Sequence, residues 1–430
     1  MTRQPKNSPR GRKSFMLLRR TWGVGQGHKM KHSFSARKRS FTARPPLTFG
    51  LLAMVACLIL LYPLLRAGAD SRAGEALSLK RITTFRAPLG FQEAQVIVDT
   101  KTSQIYVADL NVGKVLHASL TQPDSGRWVN IDPTGCSGFG APVEELRLMK
   151  SQSYLLALVC NRVLLLDSGS LSLRSVVASG GDQFYFHGFD VSPDEHFIAV
   201  TGFENTKPTT PTITKTRVYR LEGESATMVY EALFGDRNAY YTPDGKMLAM
   251  EDAEDCGLEF YDAATGKRAG GWRSTSELTG GAIGPLCPEQ PLHFIGQGSD
   301  RLITDDYVTP ALAVWDIHTG KLLQHLTSKM RSLGPPATTE SLSMSADGRL
   351  AAVVRLQDEW AIEHGLEYGM TIWDVSTSAV VKEIPISHRL QPLVGKGQPI
   401  RGIYFSSNGD QIAFTFFDHV DVYEYSLTAQ

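Results

Sequence analysis

The residues of this sequence that could do chemistry are scattered rather than gathered into a motif. The segment FYFHGFD sets Phe184, Tyr185 and His187 side by side. An imidazole there could act as a base or a metal ligand; equally, the segment could be aromatic packing with one satisfied histidine. The other titratable candidates, Glu93, Glu144, Tyr240, Glu340 and Arg401, are each remote from the next along the chain. Asp305 and Asp306 read as a strand-turn cap rather than an acid/base pair. There are five cysteines, Cys57, Cys136, Cys160, Cys256 and Cys287, with no Cys-x-x-Cys spacing to suggest a metal site. No Gly-x-Ser-x-Gly elbow and no Cys-x-x-Cys-His haem site are present. GVGQGH, at Gly23 to His28, follows no strand and lacks the Lys-Ser/Thr pair of a phosphate loop. The expectation is no linear catalytic set, no cofactor and no metal. Any site must be assembled by the fold from single residues.

A repeat supplies such a fold. FDVSPDEHFIAV, YYTPDGKMLAM, LSMSADGRLAAVV and IYFSSNGDQIAFTF each join two apolar strands through a polar turn, three of them through Asp-Gly or Asn-Gly. Such turns need residues that tolerate positive φ. Asp194, Asp244, Asp347 and Asn408 occupy these turns and are expected to shape hairpins. A third strand follows each pair, as in LEFYDAATGK, LAVWDIHTGK and MTIWDVSTSA, and a further apolar run usually comes next. Weaker copies run from Val96 to Leu120 and from Leu146 to Val177, and a degraded one starts at His293. The count is seven units of about 45–50 residues with four short strands each, a pattern that buries its faces only if the ring closes. The last unit ends after its third strand, while LKRITTFRA, at 79–87, is an unclaimed strand before the first. Pairing the two hides both edges.

Residues 79–430 therefore resemble the seven-bladed β-propeller superfamily that includes WD-repeat and YVTN-type proteins. The Trp-Asp pair occurs at Trp315-Asp316 and Trp373-Asp374, with Tyr261-Asp262 and Leu166-Asp167 in the same slot elsewhere. The Gly-His pair that opens a WD repeat is missing from every unit. The resemblance implies an all-β fold whose second-to-third-strand and inter-blade connections share one face. Five unusual loops fall there, 132–142, 202–216, 251–257, 279–291 and 355–369, making it the expected working face. The same geometry brings Cys136 near Cys160 and Cys256 near Cys287, so two disulfides are the favoured use of the four cysteines outside the apolar segment. Free buried thiols are the alternative. It also sets Phe184, Tyr185, His187, Tyr240, Glu340, Arg401, Glu93 and Glu144 at the channel mouth as candidate binding residues.

Charge divides the chain. Residues 1–69 hold fourteen of the 44 Lys and Arg and none of the 44 Asp and Glu, so the remainder carries 30 − 44 = −14. Between the two parts lies an apolar segment, Leu47 to Leu65, about the ~20 residues a bilayer-spanning helix needs. Two readings stay open. It is a signal anchor with the basic arm in the cytoplasm, or a leader cleaved near Ala69, with Met30 as a possible start. The expected organisation is a basic tail or leader (1–46), a transmembrane or signal segment (47–66), a linker (67–78) and the propeller (79–430). The body would then be periplasmic or extracellular, tethered or secreted. The basic arm lacks a reader motif and aromatic interleaving, so no nucleic-acid partner is expected. The favoured function is a binding or scaffold module for a protein or cell-envelope partner. The alternative is a lactonase-like or quinoprotein-like enzyme with a metal or cofactor at the channel mouth.

Overall fold

The computed structural model describes residues 75–86, 94–109, 113–131, 143–181, 184–204, 213–233, 238–252, 257–273, 289–295, 300–305, 311–327, 338–356, 368–386 and 400–429. The basic arm, segment 47–66, Glu93, Cys57, Cys136, Cys256, Cys287 and most residues of the five loops lie outside this set, as does Asp306. Among the described residues no helix is long and apolar enough to cross a membrane.

The first strand, β1 (Glu75–Arg86), is followed by seven inner strands that each open a blade. Blade 1 contains β2 (Ala94–Asp99), β3 (Gln104–Asp109), β4 (Lys114–Ser119) and β5 (Arg127–Asn130). Blade 2 contains β6 (Val143–Leu148), β7 (Tyr154–Val159), β8 (Arg162–Asp167) and β9 (Leu173–Ser179). Blade 3 contains β10 (Phe184–Val191), β11 (Phe197–Glu204), β12 (Ile213–Glu222) and β13 (Ser225–Leu233). Blade 4 contains β14 (Ala239–Tyr241), β15 (Met247–Asp252), β16 (Gly257–Asp262) and β17 (Arg268–Arg273). Blade 5 contains β18 (Glu289–Phe294), β19 (Arg301–Asp305), β20 (Ala311–Asp316) and β21 (Leu322–Thr327). Blade 6 contains β22 (Thr338–Met344), β23 (Leu350–Leu356), β24 (Tyr368–Asp374) and β25 (Ala379–Ile386). Blade 7 contains β26 (Gly402–Phe405), β27 (Gln411–Thr415), β28 (His419–Ala429) and, as its outer strand, β1. Every pairing within the blades is antiparallel, so the ring is a seven-bladed β-propeller closed by its own N-terminal strand.

The hydropathy of each strand follows from its place in a blade. Middle strands are covered on both faces by neighbouring blades and read as near-continuous apolar runs. YLLALV and RVLLLD of blade 2 are of this kind, with Leu155, Leu156, Leu158 and Leu164 buried. Outer strands such as LRSVVAS are largely exposed. The cores lie between blades: Leu350, Val354 and Met370 of blade 6 pack with Ile403, Phe405 and Phe414 of blade 7 and with Leu77 of β1. Closure extends further than the sequence pattern implied. Pairing starts at Glu75 opposite Ala429, four residues before Leu79, because Leu77 is buried opposite Leu427.

The Trp-Asp slot has a local function. Trp315 is fully buried and donates from Nε1 to Thr304 Oγ1 at 2.9 Å, while Trp373 donates to the Thr327 carbonyl of the preceding blade at 3.2 Å. Asp316 Oδ1 accepts from the backbone N–H of His318 and Thr319 and from the Thr319 hydroxyl, capping its own turn. Those bonds hold its carboxyl below the usual range. Gly320 completes the turn at φ +68°, where a Cβ would meet the Trp272 ring at 2.5 Å, so glycine is required twice over. Asp194, Asp244 and Asp347 accept from the Ser or Thr hydroxyl two residues earlier, at 2.6 to 2.7 Å, and shape their hairpins. Asn408 does something else. It bridges blades 7 and 1, accepting from the Thr100 N–H and hydroxyl and donating to Asp99 at 2.8 Å.

Candidate functional site

Because the blades are antiparallel, second-to-third-strand and inter-blade connections share one end of the ring, the loop end. The hairpin turns between first and second strands mark the other. The inner strands start at the loop end, where regular pairing breaks. β6 skips a residue at Glu144, β10 at His187 and β22 at Glu340. In blade 7 both Arg401 and Gly402 face Thr415, and the Arg401 N–H reaches the Thr415 carbonyl. The extra residue of such an irregularity leaves the ladder and is re-aimed. Four sequence candidates thus hold the same place in four blades: Glu144, His187, Arg401 and, by its backbone, Glu340. Tyr240 belongs elsewhere, one residue before the end of β14, and Glu93 lies outside the described residues.

The FYFHGFD segment is held from behind. The turn between β7 and β8 has two consecutive positive-φ residues, Cys160 at 48° and Asn161 at 61°, the signature of a type I′ hairpin. It projects the Asn161 amide against blade 3. Asn161 donates to the carbonyls of Gly181 and Phe184 and accepts the Phe186 N–H, at 2.7 to 2.9 Å. A Cβ at Gly180 would lie 1.9 Å from the Phe184 carbonyl oxygen, so only glycine fits beneath this clamp. Cys160 is disulfide-bonded, with its partner outside the described residues.

So anchored, the segment sorts its rings. Phe184 is buried under the Arg217 guanidinium, 4.0 Å from the ring centroid, and Phe186 is buried against it. Tyr185 points the other way, 39% exposed, and stacks on Phe203 of β11 at 5.6 Å. His187 stacks on the same Phe203 at 6.1 Å. Burial lowers the His187 pKa, favouring the neutral ring. Glu144, reached by solvent yet ringed by protein, is pushed up to about 7 by burial and by the adjacent Glu145 charge. The chemistry on offer here is stacking and hydrogen bonding on an exposed aromatic surface.

A second cluster lies toward the hairpin end. The residue two places before each hairpin turn is Ile97, Arg147, Asp190, Tyr240, His293, Ser343 and Tyr404 in blades 1 to 7. Six of the seven are polar, and with their neighbours they stitch blade to blade. Asp190 accepts the Tyr241 N–H at 2.7 Å, Ser343 the Phe405 N–H at 2.9 Å, and Tyr404 donates to the Ala94 carbonyl at 2.8 Å. Just above, Gln95 makes two bonds to the Leu146 backbone and Glu145 accepts the Phe189 N–H. Arg147 pairs with Glu145 at 3.0 Å and Asp190 at 3.2 Å. Burial opposes its charge, but Asp190 and Glu145 outweigh that and hold its pKa above the ordinary value. Burial raises both carboxyls, against the pull of Arg147. It also lowers His293 to about 4, with Arg147 adding to the shift. Among the described residues no group of three or more His, Cys, Asp or Glu side chains is placed to hold a metal ion.

The comparisons with known proteins belong to this geometry. No protein-family model matches the chain, and no curated protein does either. Among solved structures, the beta-propeller domain of Cps50 (Swd1) from Myceliophteria thermophila matches with a TM-score of 0.56, covering 81% of this chain and 99% of that one at 12% identity. The likeness is one of fold. It places the propeller reading on a second footing and carries no site residue across.

Arg147, Asp190 and His293 were not singled out from sequence. Each shares its strand with other polar residues, Glu144 and Glu145, His187, or Glu289, and only alignment of the inner strands on their hairpin turns gathers them into a set.

Proposed function

We propose that this protein is a binding scaffold, a rigid propeller whose loop end takes a protein partner and which residues 47–66 hold outside the cytoplasm. The observation that carries the reading is the Tyr185–Phe203 stack, with His187 on its flank. These are two large aromatic rings, each more than a third exposed, at the loop end. Exposed aromatics on a pre-organised backbone supply contact area at low entropic cost, which is why such residues recur as interface anchors. The Asn161 clamp provides that pre-organisation. The Cys160 disulfide supports an oxidising compartment, where such bonds persist, and Cys136, next to the same blade in sequence, is its proposed partner. The propeller named above is similar in fold, and a binding role is in keeping with that.

The test is a photo-crosslinking residue at position 187, on the flank of the stack, in the full chain expressed in its native host. A discrete crosslinked protein is expected, and the Tyr185→Ala/Phe203→Ala pair should abolish its recovery while leaving thermal unfolding unchanged. Undiminished recovery with both rings removed would overturn the reading. Protease protection of the propeller in intact cells tests the compartment separately.

A further inference from the structure

Between the hairpin turns of blades 2 to 5 lies a cavity of about 290 Å³, at the end of the ring opposite the loops. At about 30 Å³ per water-sized group it has room for roughly ten heavy atoms. Its walls are of two kinds. Met149, Leu292 and Phe294 supply apolar surface, while Arg147, Lys150 and Tyr240 supply donors.

The acids nearby are already engaged. Glu145 accepts from Arg147 and from the Phe189 N–H, one bond per oxygen. Asp190 divides its oxygens between Arg147 and the Tyr241 N–H. Glu195 takes the backbone N–H groups of Lys150 and Ser151. The donors have capacity left. Arg147 has one bond from each terminal nitrogen, leaving three of its five N–H groups without a partner among the described residues. Among the described residues, Lys150 Nζ meets only the neutral Pro193 carbonyl, at 2.9 Å. Exposure points the same way: the Arg147 side chain is 40% exposed, against 21% for Glu145 and 10% for Asp190. Glu145 lies outside the cavity wall, while Asp190 and Glu195 line it with their oxygens engaged, and the guanidinium is more exposed than either of the two acids that fix its plane.

We propose that this cavity binds a carboxylate carried on a small apolar body. The remaining N–H groups of Arg147 take the carboxylate as a fork, and Lys150 adds a second positive charge on the cavity wall. The apolar body rests on Met149, Leu292 and Phe294. Two sources share this chemistry: a free aryl- or alkyl-carboxylic acid, and the C-terminal carboxylate of a peptide ending in an apolar residue. The site is independent of the loop-end reading, since it uses the opposite ends of the strands.

Calorimetric titration of the full chain with 3-phenylpropionate and its neutral amide tests the proposal. The acid is expected to bind about tenfold or more tighter than the amide, the range of a charge-assisted hydrogen-bond pair. Arg147→Lys retains the charge between Glu145 and Asp190 but loses the fork, and should abolish that preference with thermal unfolding little changed. Should that variant fail to fold, Lys150→Gln at the exposed rim is expected to weaken the acid about threefold. A tripeptide ending in phenylalanine, as free acid and as amide, separates the sources. Tighter binding of the peptide acid than of phenylpropionate assigns the site to a chain terminus, and the reverse assigns it to a free acid. Equal binding of acid and amide, no binding of any acid at millimolar concentration, or a preference that survives Arg147→Lys would each overturn the proposal.

Discussion

Replacing Glu144 with glutamine should stabilise the protein at alkaline pH and leave it nearly unchanged at acid pH. In the folded protein the Glu144 carboxyl sits at about 7 rather than 4.5, through burial first and the Glu145 charge second. The folded state thus binds this proton more tightly than the unfolded chain. Stability is not penalised below pH 4.5, falls as the pH rises from 4.5 to about 7, and is level above that. At 1.36 kcal/mol per pH unit the full span is worth about 3 kcal/mol. Solvent reaches this side chain, and screening reduces the expected penalty to about 1 kcal/mol. Glutamine keeps the side chain's size and removes the charge, so Glu144→Gln should raise the Tm by about 2 °C at pH 8 and by much less at pH 4. Thermal unfolding of the two proteins, followed by intrinsic fluorescence at both pH values, measures the difference. An equal shift at both pH values, or a lower Tm for the variant at pH 8, would refute the electrostatic argument.

Asn161→Ala removes three hydrogen bonds and leaves alanine at φ +61°, so urea denaturation should show a loss of about 3 kcal/mol. Asn161→Asp keeps the acceptor for Phe186 N–H but sets a carboxylate oxygen against the Gly181 and Phe184 carbonyls, and should cost at least as much. Trp315→Phe gives up the buried bond to Thr304 and part of a packed core, for about 2–3 kcal/mol; Asp316→Ala, in an exposed turn, should cost clearly less in the same assay. A chain beginning after Arg86 lacks the outer strand of blade 7, with its buried Leu77 and Phe85. It should aggregate and lose cooperative unfolding, and a synthetic 75–86 peptide supplied in trans should restore solubility.

Much of the fold was legible because its signals are local. The Asp-Gly turns at Asp244 and Asp347 announced hairpins, and Trp315-Asp316 and Trp373-Asp374 announced third strands. Closure followed from one unclaimed strand and one missing strand. The true start of β1 was not legible, since Glu75 to Ser78 look like linker until Leu427 and Thr428 are placed opposite them. The candidate site was half legible. Glu144 and His187 fall at register shifts at the head of their inner strands, and Arg401 holds the corresponding place in blade 7. Tyr240 sits lower, beside Arg147 and His293. Nothing in their strands sets those two apart from the other polar residues of VEELRL and EQPLHF; what makes them informative is interaction across blades.

The clasp that closes the ring has a consequence in time. Lys80 and Glu424 meet across 344 residues of chain, so β1 is the first and its partner the last of the described strands to be made. At synthesis rates of about 5–20 residues per second that interval is about 17–70 s. Throughout it, a strand bearing Leu77 and Phe85 has no partner edge, and six blades can form beside it before the seventh exists. The nascent protein must therefore pass through an open-ring stage with one sticky strand at each end, and whatever shields the first strand during that interval decides how much chain survives to close.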